Sequence, residues 1–279
     1  MGDTGTPVLL TSAQRTGTAV LLAEAAERRG MDVRVLTGPH TLDGLDERTV
    51  HWYGGPFTAR RITDRTGLAL LEPPDDWLAR LPEEFTGRRI EASTLSKAWE
   101  LRRPAFVKPP GDKSFPAAVY ADGTRLPRTG KRVGPDTPVL ISEVVTFAVE
   151  YRLFLLDRRI AAGSRYAVHG RLDVAPLHRD RYERHVRRFV RRLLETTGDL
   201  LPSAVTVDIG LVRDPESGRG RWAVVEANMP WFSHCYAAPP DAVLDVVLRA
   251  AGPRERVLPS DRRFLRPAAH SPLRAPRAP

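Results

Sequence analysis

Three oxygen-bearing side chains, Asp208, Glu226 and Asn228, are spaced as a hard cation would need them. Glu226 and Asn228 stand one residue apart at the end of the run Arg221-Trp-Ala-Val-Val-Glu-Ala-Asn-Met-Pro-Trp231. Ala223, Val224 and Val225 in that run are small or β-branched and read as a buried strand. In an extended chain residues i and i+2 point to one face, so the carboxylate and the amide can aim at one point. Met229-Pro230 then stops the strand. Asp208 lies in Thr206-Val-Asp-Ile-Gly210, inside an apolar strand, where a carboxylate costs several kcal/mol unless it is paired or metal-bound. The loop Asp214-Pro-Glu-Ser-Gly218 makes the two strands a hairpin and brings Asp208 beside Glu226. Carboxylates joined by substrate phosphates suit Mg²⁺. The plain alternative is a strand running into a polar turn.

Cations come earlier in the chain. Lys108 ends the strand Ala105-Phe-Val-Lys108, and Lys113 lies in the following loop Pro109-Pro-Gly-Asp-Lys-Ser114. Both can reach phosphates, or both are solvated surface lysines. Glu143 and Glu150 flank an apolar connector, Val144-Val-Thr-Phe-Ala-Val149. An adenine needs an apolar slot, exposed backbone groups and a carboxylate for the ribose, and this segment has all three; it also reads as an ordinary hairpin with two surface glutamates. Arg152 and Arg165 lie on strands joined by the turn at Asp157, spaced to face one side and clamp a phosphoryl or carboxylate group.

The elements that must position these groups follow in order. Val8–Thr11, a helix over Thr18–Arg29 and Asp32–Thr37 make a β-α-β opening, which predicts a parallel pair. The loop Ser12–Gly17 lacks a G-x-G-x-x-G fingerprint, so no dinucleotide site is assigned there. Thr49–Tyr53 is a further strand. Residues 57 to 104 read as helical pieces (Ala59–Thr66, Asp75–Arg80, Thr94–Leu101) bridging two subdomains. Strands dominate from 105: Ala117–Tyr120, one near Arg125-Leu126, Val139–Val145, Val149–Leu156 and Ile160–Tyr166. His178–Thr196 is an amphipathic helix with Tyr182, Val186, Phe189, Val190, Leu193 and Leu194 on its apolar face. Asp241–Ala250 is the last helix, and the Pro/Arg-rich stretch from Gly252 is expected to be mobile.

Composition narrows the function. At 279 residues, 42% hydrophobic and 28% charged, the chain is that of a globular protein. No apolar run reaches the ~20 residues of a membrane span. A single cysteine, Cys235, and the absence of a signal-peptide pattern point to the cytoplasm. The net charge of +9 could suggest nucleic acid, but it resides in two segments. Residues 178–195 carry seven arginines against three acids, and 252–279 carry seven against two. The helical arginines fall on a solvated face, which disfavours a nucleic-acid role.

The ordered set Phe-Val-Lys108-Pro, Ile-Ser-Glu143…Glu150-Tyr-Arg152, Asp208 and Glu226-x-Asn228 resembles the ATP-grasp superfamily of carboxylate–amine ligases, over Phe106 to about Tyr236. The resemblance implies an α/β plus α+β fold in which an N-terminal α/β subdomain precedes two lobes clasping ATP. It divides the chain into 1–90, an ATP-grasp domain at 91–252 and a tail at 253–279. It places Lys108 and Lys113 on phosphates, Glu143 and Val145 at adenine, and Glu150 at ribose. Asp208, Glu226 and Asn228 would hold Mg²⁺, and Arg152 and Arg165 would meet the transferred phosphoryl group. The implied reaction joins a carboxylate to an amine, on an amino acid or peptide, through an acyl phosphate. A phosphotransferase on the same fold is the alternative.

Three departures accompany it. The first phosphate lysine of the family has no clear match, because Lys97 is only 11 residues before Lys108. Thr206 stands where some members carry an arginine. The phosphate loop has one glycine, Gly111. No covalent protein nucleophile is required, so the neighbours His234 and Cys235 are not read as a catalytic pair. Trp231, Phe232, His234 and Tyr236 are expected to shape the acceptor pocket.

Overall fold

A computed structural model describes residues 5–46, 48–111, 114–130, 133–213 and 218–267. Strand β1 (Val8–Ser12) is buried over its first four residues. Helix α1 (Gly17–Arg28) follows, and the Thr16 hydroxyl caps it by accepting from the Ala19 N–H at 3.1 Å. Strands β2 (Asp32–Leu36) and β3 (Val50–Tyr53) pair with β1 in parallel, giving the order β2-β1-β3. Helix α2 (Pro56–Thr66) starts on a proline and ends at Gly67, whose φ of 62° a side chain would strain. Strand β4 (Leu68–Leu70) comes next.

The bridge expected over 57–104 contains more strand than its prolines suggest. After the short helix α3 (Glu83–Thr86), strand β5 (Ile90–Thr94) enters a small antiparallel sheet, followed by the short helix α4 (Leu95–Ala98). Strands β6 (Ala105–Lys108), β7 (Ala118–Tyr120) and β8 (Pro138–Ser142) complete it in the order β5-β8-β6-β7. Gly123–Arg125 is a 3-10 turn, not the strand expected near Arg125. Leu95, Ala98, Val107, Phe115, Leu126 and Val139 form the core on one face of this sheet.

The chain then crosses into a five-stranded antiparallel sheet. Its members are β9 (Phe147–Leu156), β10 (Arg159–Val168), β11 (Arg171–Pro176), β12 (Ala204–Arg213) and β13 (Gly220–Asn228), in the order β11-β10-β9-β12-β13. Helix α5 (Glu183–Thr197) lies between β11 and β12 in sequence. Its Val186, Phe189, Val190 and Leu193 pack against Tyr151, Leu153, Leu155, Val205, Val207 and Ile209 from one face of the sheet. Each such side chain contributes about 1.5–3 kcal/mol by leaving water.

The other face is divided. Phe154, Ala162 and Ala204 join the core of the N-terminal sheet, together with helix α6 (Pro240–Ala250). Further along, the same face carries charge. Strand β14 (Ala251–Pro253) pairs with β4, and Leu265 bridges to Leu71. The segment after 252 is therefore packed against the N-terminal unit through residue 265, with Asp261 and Phe264 buried. This corrects the expectation of a loose tail beginning at 253.

Candidate functional site

Register alone assembles the constellation. Asp208 on β12 pairs with Arg152 on β9 and with Glu226 on β13, and Thr206 pairs with Asn228. Residues paired across an antiparallel sheet share a face, so Arg152, Asp208 and Glu226 form a row across three strands. Asp208 is 1% exposed. Arg152 grips it with two bonds, Nε to Oδ1 at 2.9 Å and Nη2 to Oδ2 at 2.6 Å. Burial works against the guanidinium, but the Asp208 carboxylate and the two bonds prevail and raise the Arg152 pKa. Burial also raises the Asp208 carboxyl, an effect that Arg152 offsets in part.

Lys108 reaches the row from the small sheet. Its Nζ lies 2.5 Å from Glu226 Oε2, and the Asn228 amide donates to Glu226 Oε1 at 2.8 Å. Burial pushes the Glu226 carboxyl up, yet the Lys108 ammonium and these hydrogen bonds outweigh it and hold the carboxyl below its ordinary range. Glu226 is thus a carboxylate at neutral pH. The space lined by Lys108, Leu140, Glu226 and Asn228 is only about 40 Å³, so the two lobes are closed upon each other here.

Glu150 and Tyr166 extend the charged face. The Tyr166 hydroxyl donates to Glu150 Oε2 at 2.7 Å, and burial raises the Glu150 pKa. Tyr166 and Tyr236 stack at 5.2 Å, with the Arg152 guanidinium 5.7 and 5.3 Å from their ring centres. Tyr236 adopts a left-handed φ of 51°, which turns its ring onto this stack. The loop carrying it is pinned from both sides. The Cys235 N–H donates to Thr18 Oγ1, the Tyr53 hydroxyl donates to the Ser233 carbonyl, and the Ala237 N–H donates to Ser164 Oγ.

Several expected residues lie elsewhere. Arg165 faces the opposite side of the sheet, opposite Tyr151, and pairs with Asp180 at 2.7 Å and Asp173 at 2.6 Å. It is not brought to the row. Trp231 is fully buried with its Nε1–H on the Leu71 carbonyl, so it supports the loop from behind and lines no pocket. Phe232 and His234 are exposed, as acceptor-pocket residues would be. Cys235 is buried and burial raises its thiol pKa, the reverse of an activated nucleophile. Glu143 and Val145 lie in the connector between β8 and β9, where the chain leaves the small sheet. The Glu143 carboxylate accepts the Arg89 N–H at 3.0 Å, tying this crossover to the entering one. Lys113 falls outside the described residues. Lys97 borders a cavity of about 460 Å³ on the α4 side of the small sheet, with Arg89, Glu91 and Arg103. That cavity is the larger one, but the row of Arg152, Asp208 and Glu226 does not line it. Nothing in the sequence singles out Tyr166 for the site. It occupies an irregular position of β10, which alternation does not reveal.

The donor set fits Mg²⁺. Two carboxylates and an amide offer hard oxygens on neighbouring strands. Thr206 Oγ1, buried two residues before Asp208, has no hydrogen-bond partner among the described residues. No group of three His, Cys, Asp or Glu residues forms a metal-holding cluster among the described residues. Asp208 and Glu226 are engaged instead with Arg152 and Lys108.

Two lobes closing on a row of carboxylates and cations define a nucleotide-clasping protein. A family model for the ATP-grasp domain, the second family of its clade, matches residues 85–246, and the chain belongs to that family. ATP-grasp proteins are generally ATP-dependent ligases. The fold is that of a RimK domain ATP-grasp protein from Sphaerobacter thermophilus, 15% identical, with a TM-score of 0.50 over 86% of this chain and 99% of that one. A D-alanine–D-alanine ligase from Bacillus anthracis is 12% identical, with a TM-score of 0.49 over 88% of this chain and 97% of that one. A macrocyclase bound with its precursor peptide, from Microcystis aeruginosa, is 12% identical, with a TM-score of 0.45 over 87% and 99%. No curated protein matches the sequence. No helix among the described residues is long and apolar enough to cross a membrane.

Proposed function

We propose that the chain is an ATP- and Mg²⁺-dependent ligase that activates a carboxylate as an acyl phosphate and joins it to an amine, on an amino acid or a peptide. The observation that carries this reading is the row Arg152–Asp208–Glu226, met by Lys108 from the opposing lobe. Asp208, Glu226 and Asn228 would hold Mg²⁺, which when bound neutralises phosphate charge. Lys108, released from Glu226 as the lobes part, is placed to bind a phosphate. Arg152, braced by the rings of Tyr166 and Tyr236, would orient the transferred phosphoryl group. The connector of residues 143–146 offers backbone groups for the adenine edge, and Glu150 a carboxylate for the ribose. His234, Tyr236 and Phe232 would line the acceptor space.

The basic helix supports this reading over nucleic-acid binding. On α5, Arg187 pairs with Glu183 and Arg192 with Glu84, so part of its charge is already engaged. The test is ADP release by the purified protein with pools of amino acids and peptides, followed by mass spectrometry of the products. A condensed product supports the ligase. A stable phosphorylated product with no new amide would establish the phosphotransferase instead. The absence of nucleotide-dependent chemistry in every pool would overturn both.

A further inference from the structure

Arg88 is 6% exposed, and among the described residues no carboxylate pairs with it. Its guanidinium donates instead to backbone carbonyls: Thr86 at 2.8 Å, Val224 at 2.9 Å and, more weakly, Val225 at 3.4 Å. Its Cζ lies 5.5 Å from the centre of the Phe147 ring. A buried cation without a counter-charge is costly, and burial lowers its pKa to about 10. Such a group persists in a fold where something else depends on it.

What depends on it is an irregularity in β13. The pairing runs Asp208 with Glu226, then Ile209 with Val224, so Val225 is one residue too many. Trp222 and Val224 pack on the α5 side of the sheet, and beyond the bulge Ala227 does so too. The even-numbered residues therefore leave the α5 face at Val225 and the odd-numbered ones take it over. In an unbulged strand Glu226 would share the face of Val224, inside the apolar core. The bulge is what turns Glu226 and Asn228 toward Asp208. Val224 and Val225, which frame it, are the two β13 residues whose carbonyls Arg88 holds. They lie on the edge strand of the sheet, which the α3 segment covers.

Resting on the MgATP site proposed above, we propose that Arg88 is a positioning residue: it fixes the Val225 bulge and thereby aims Glu226 and Asn228 at the cation site. Its stacking on Phe147 also ties that strand to the crossover leaving the small sheet.

The test compares Arg88→Met, Arg88→Lys and Phe147→Leu with the wild type, by two readings. The first is backbone amide exchange in the nucleotide-free protein. Arg88→Met should speed exchange over residues 224–228 by about tenfold or more, while α6 and the β9–β10 hairpin keep wild-type protection. The second is the Mg²⁺ concentration needed for half-maximal ATP binding. This should rise by about tenfold, more than the KM for ATP at saturating Mg²⁺, and Arg88→Lys should recover part of it. The proposal is overturned if exchange over 224–228 is unchanged, or if it rises uniformly across the protein as general destabilisation would produce. An unchanged Mg²⁺ requirement overturns it equally. If Arg88→Met fails to fold, Arg88→Lys and Phe147→Leu carry the same comparison with smaller local effects. A wild-type protein that binds no MgATP would refute the function proposed above, and the exchange result would still decide Arg88.

Discussion

Removing Asp208 should cost far more as a single change than as half of a pair. Asp208→Ala leaves the Arg152 guanidinium, with a side chain only 12% exposed, facing no counter-charge. Two charge-assisted bonds are lost, at about 1.5–3 kcal/mol each. Breaking one side of a buried pair typically costs about 3–5 kcal/mol, and the two figures agree. Arg152→Met should cost a similar amount, since it strands the carboxylate. The double variant Arg152→Met/Asp208→Leu removes both charges and refills the space, so it should be more stable than either single variant by about 2 kcal/mol. Urea unfolding at neutral pH, followed by tryptophan fluorescence, measures all three. The same proteins should all be unable to turn over MgATP, so that the double variant regains stability without function. If the two single losses simply add in the double variant, to within about 0.5 kcal/mol, the pair contributes no coupling and the reasoning fails.

Other consequences are as direct. Burial raises the Glu150 pKa, so the folded state prefers the neutral acid, and stability is lost as pH rises from the unfolded pKa through the folded one. Glu150→Gln should therefore be more stable than wild type at neutral pH and bind nucleotide more weakly, measured by thermal melting and by ATP titration. Glu226 runs the opposite way: its lowered pKa gives stability that is present above the unfolded value and lost as pH falls through the folded one. Lys108→Met removes the cause of that lowering, so acid unfolding should begin at a higher pH than in wild type. Gly210→Ala should destabilise by about 1–3 kcal/mol, because its new methyl would meet the Phe147 ring and, at 3.0 Å, the Val149 carbonyl. A Gly210→Ala protein melting like wild type would show that this packing is looser than described.

What the sequence made legible, and what it hid, turns on where strands are regular. Glu226 and Asn228 could be placed on one face because no irregularity separates them, and Asp208 could be placed beside Glu226 because a short loop joins their strands. Arg165 is misplaced by sequence reasoning for the opposite reason. A regular hairpin through the Asp157 turn pairs Arg165 with Glu150 and puts it on the face of Arg152. A bulge between Ile160 and Ala162 shifts the register by one and turns Arg165 toward Tyr151 and Asp180. The second irregularity, between Arg165 and Ala167, is where Tyr166 comes to reach Glu150. Nothing in residue type announces either one. Strand β5 is hidden by its mostly exposed, mixed sequence Ile-Glu-Ala-Ser-Thr, which has no apolar alternation to read. The early part of the C-terminal segment is hidden because its anchors, Asp261, Phe264 and Leu265, are few and are spread through a Pro/Arg-rich composition. Their partners, Ser203 for Asp261 and Leu71 for Leu265, lie far away in sequence.

The central claim is that the face bearing Asp208, Glu226 and Asn228 is the metal end of an ATP site. Calorimetric titration of ATP, with and without Mg²⁺, into wild type and Glu226→Ala tests it most directly. The account predicts Mg²⁺-dependent binding to the wild type and a loss of about tenfold or more in Glu226→Ala, with circular dichroism showing the fold retained. Equal affinity in the two proteins, or wild-type binding indifferent to Mg²⁺, would contradict it.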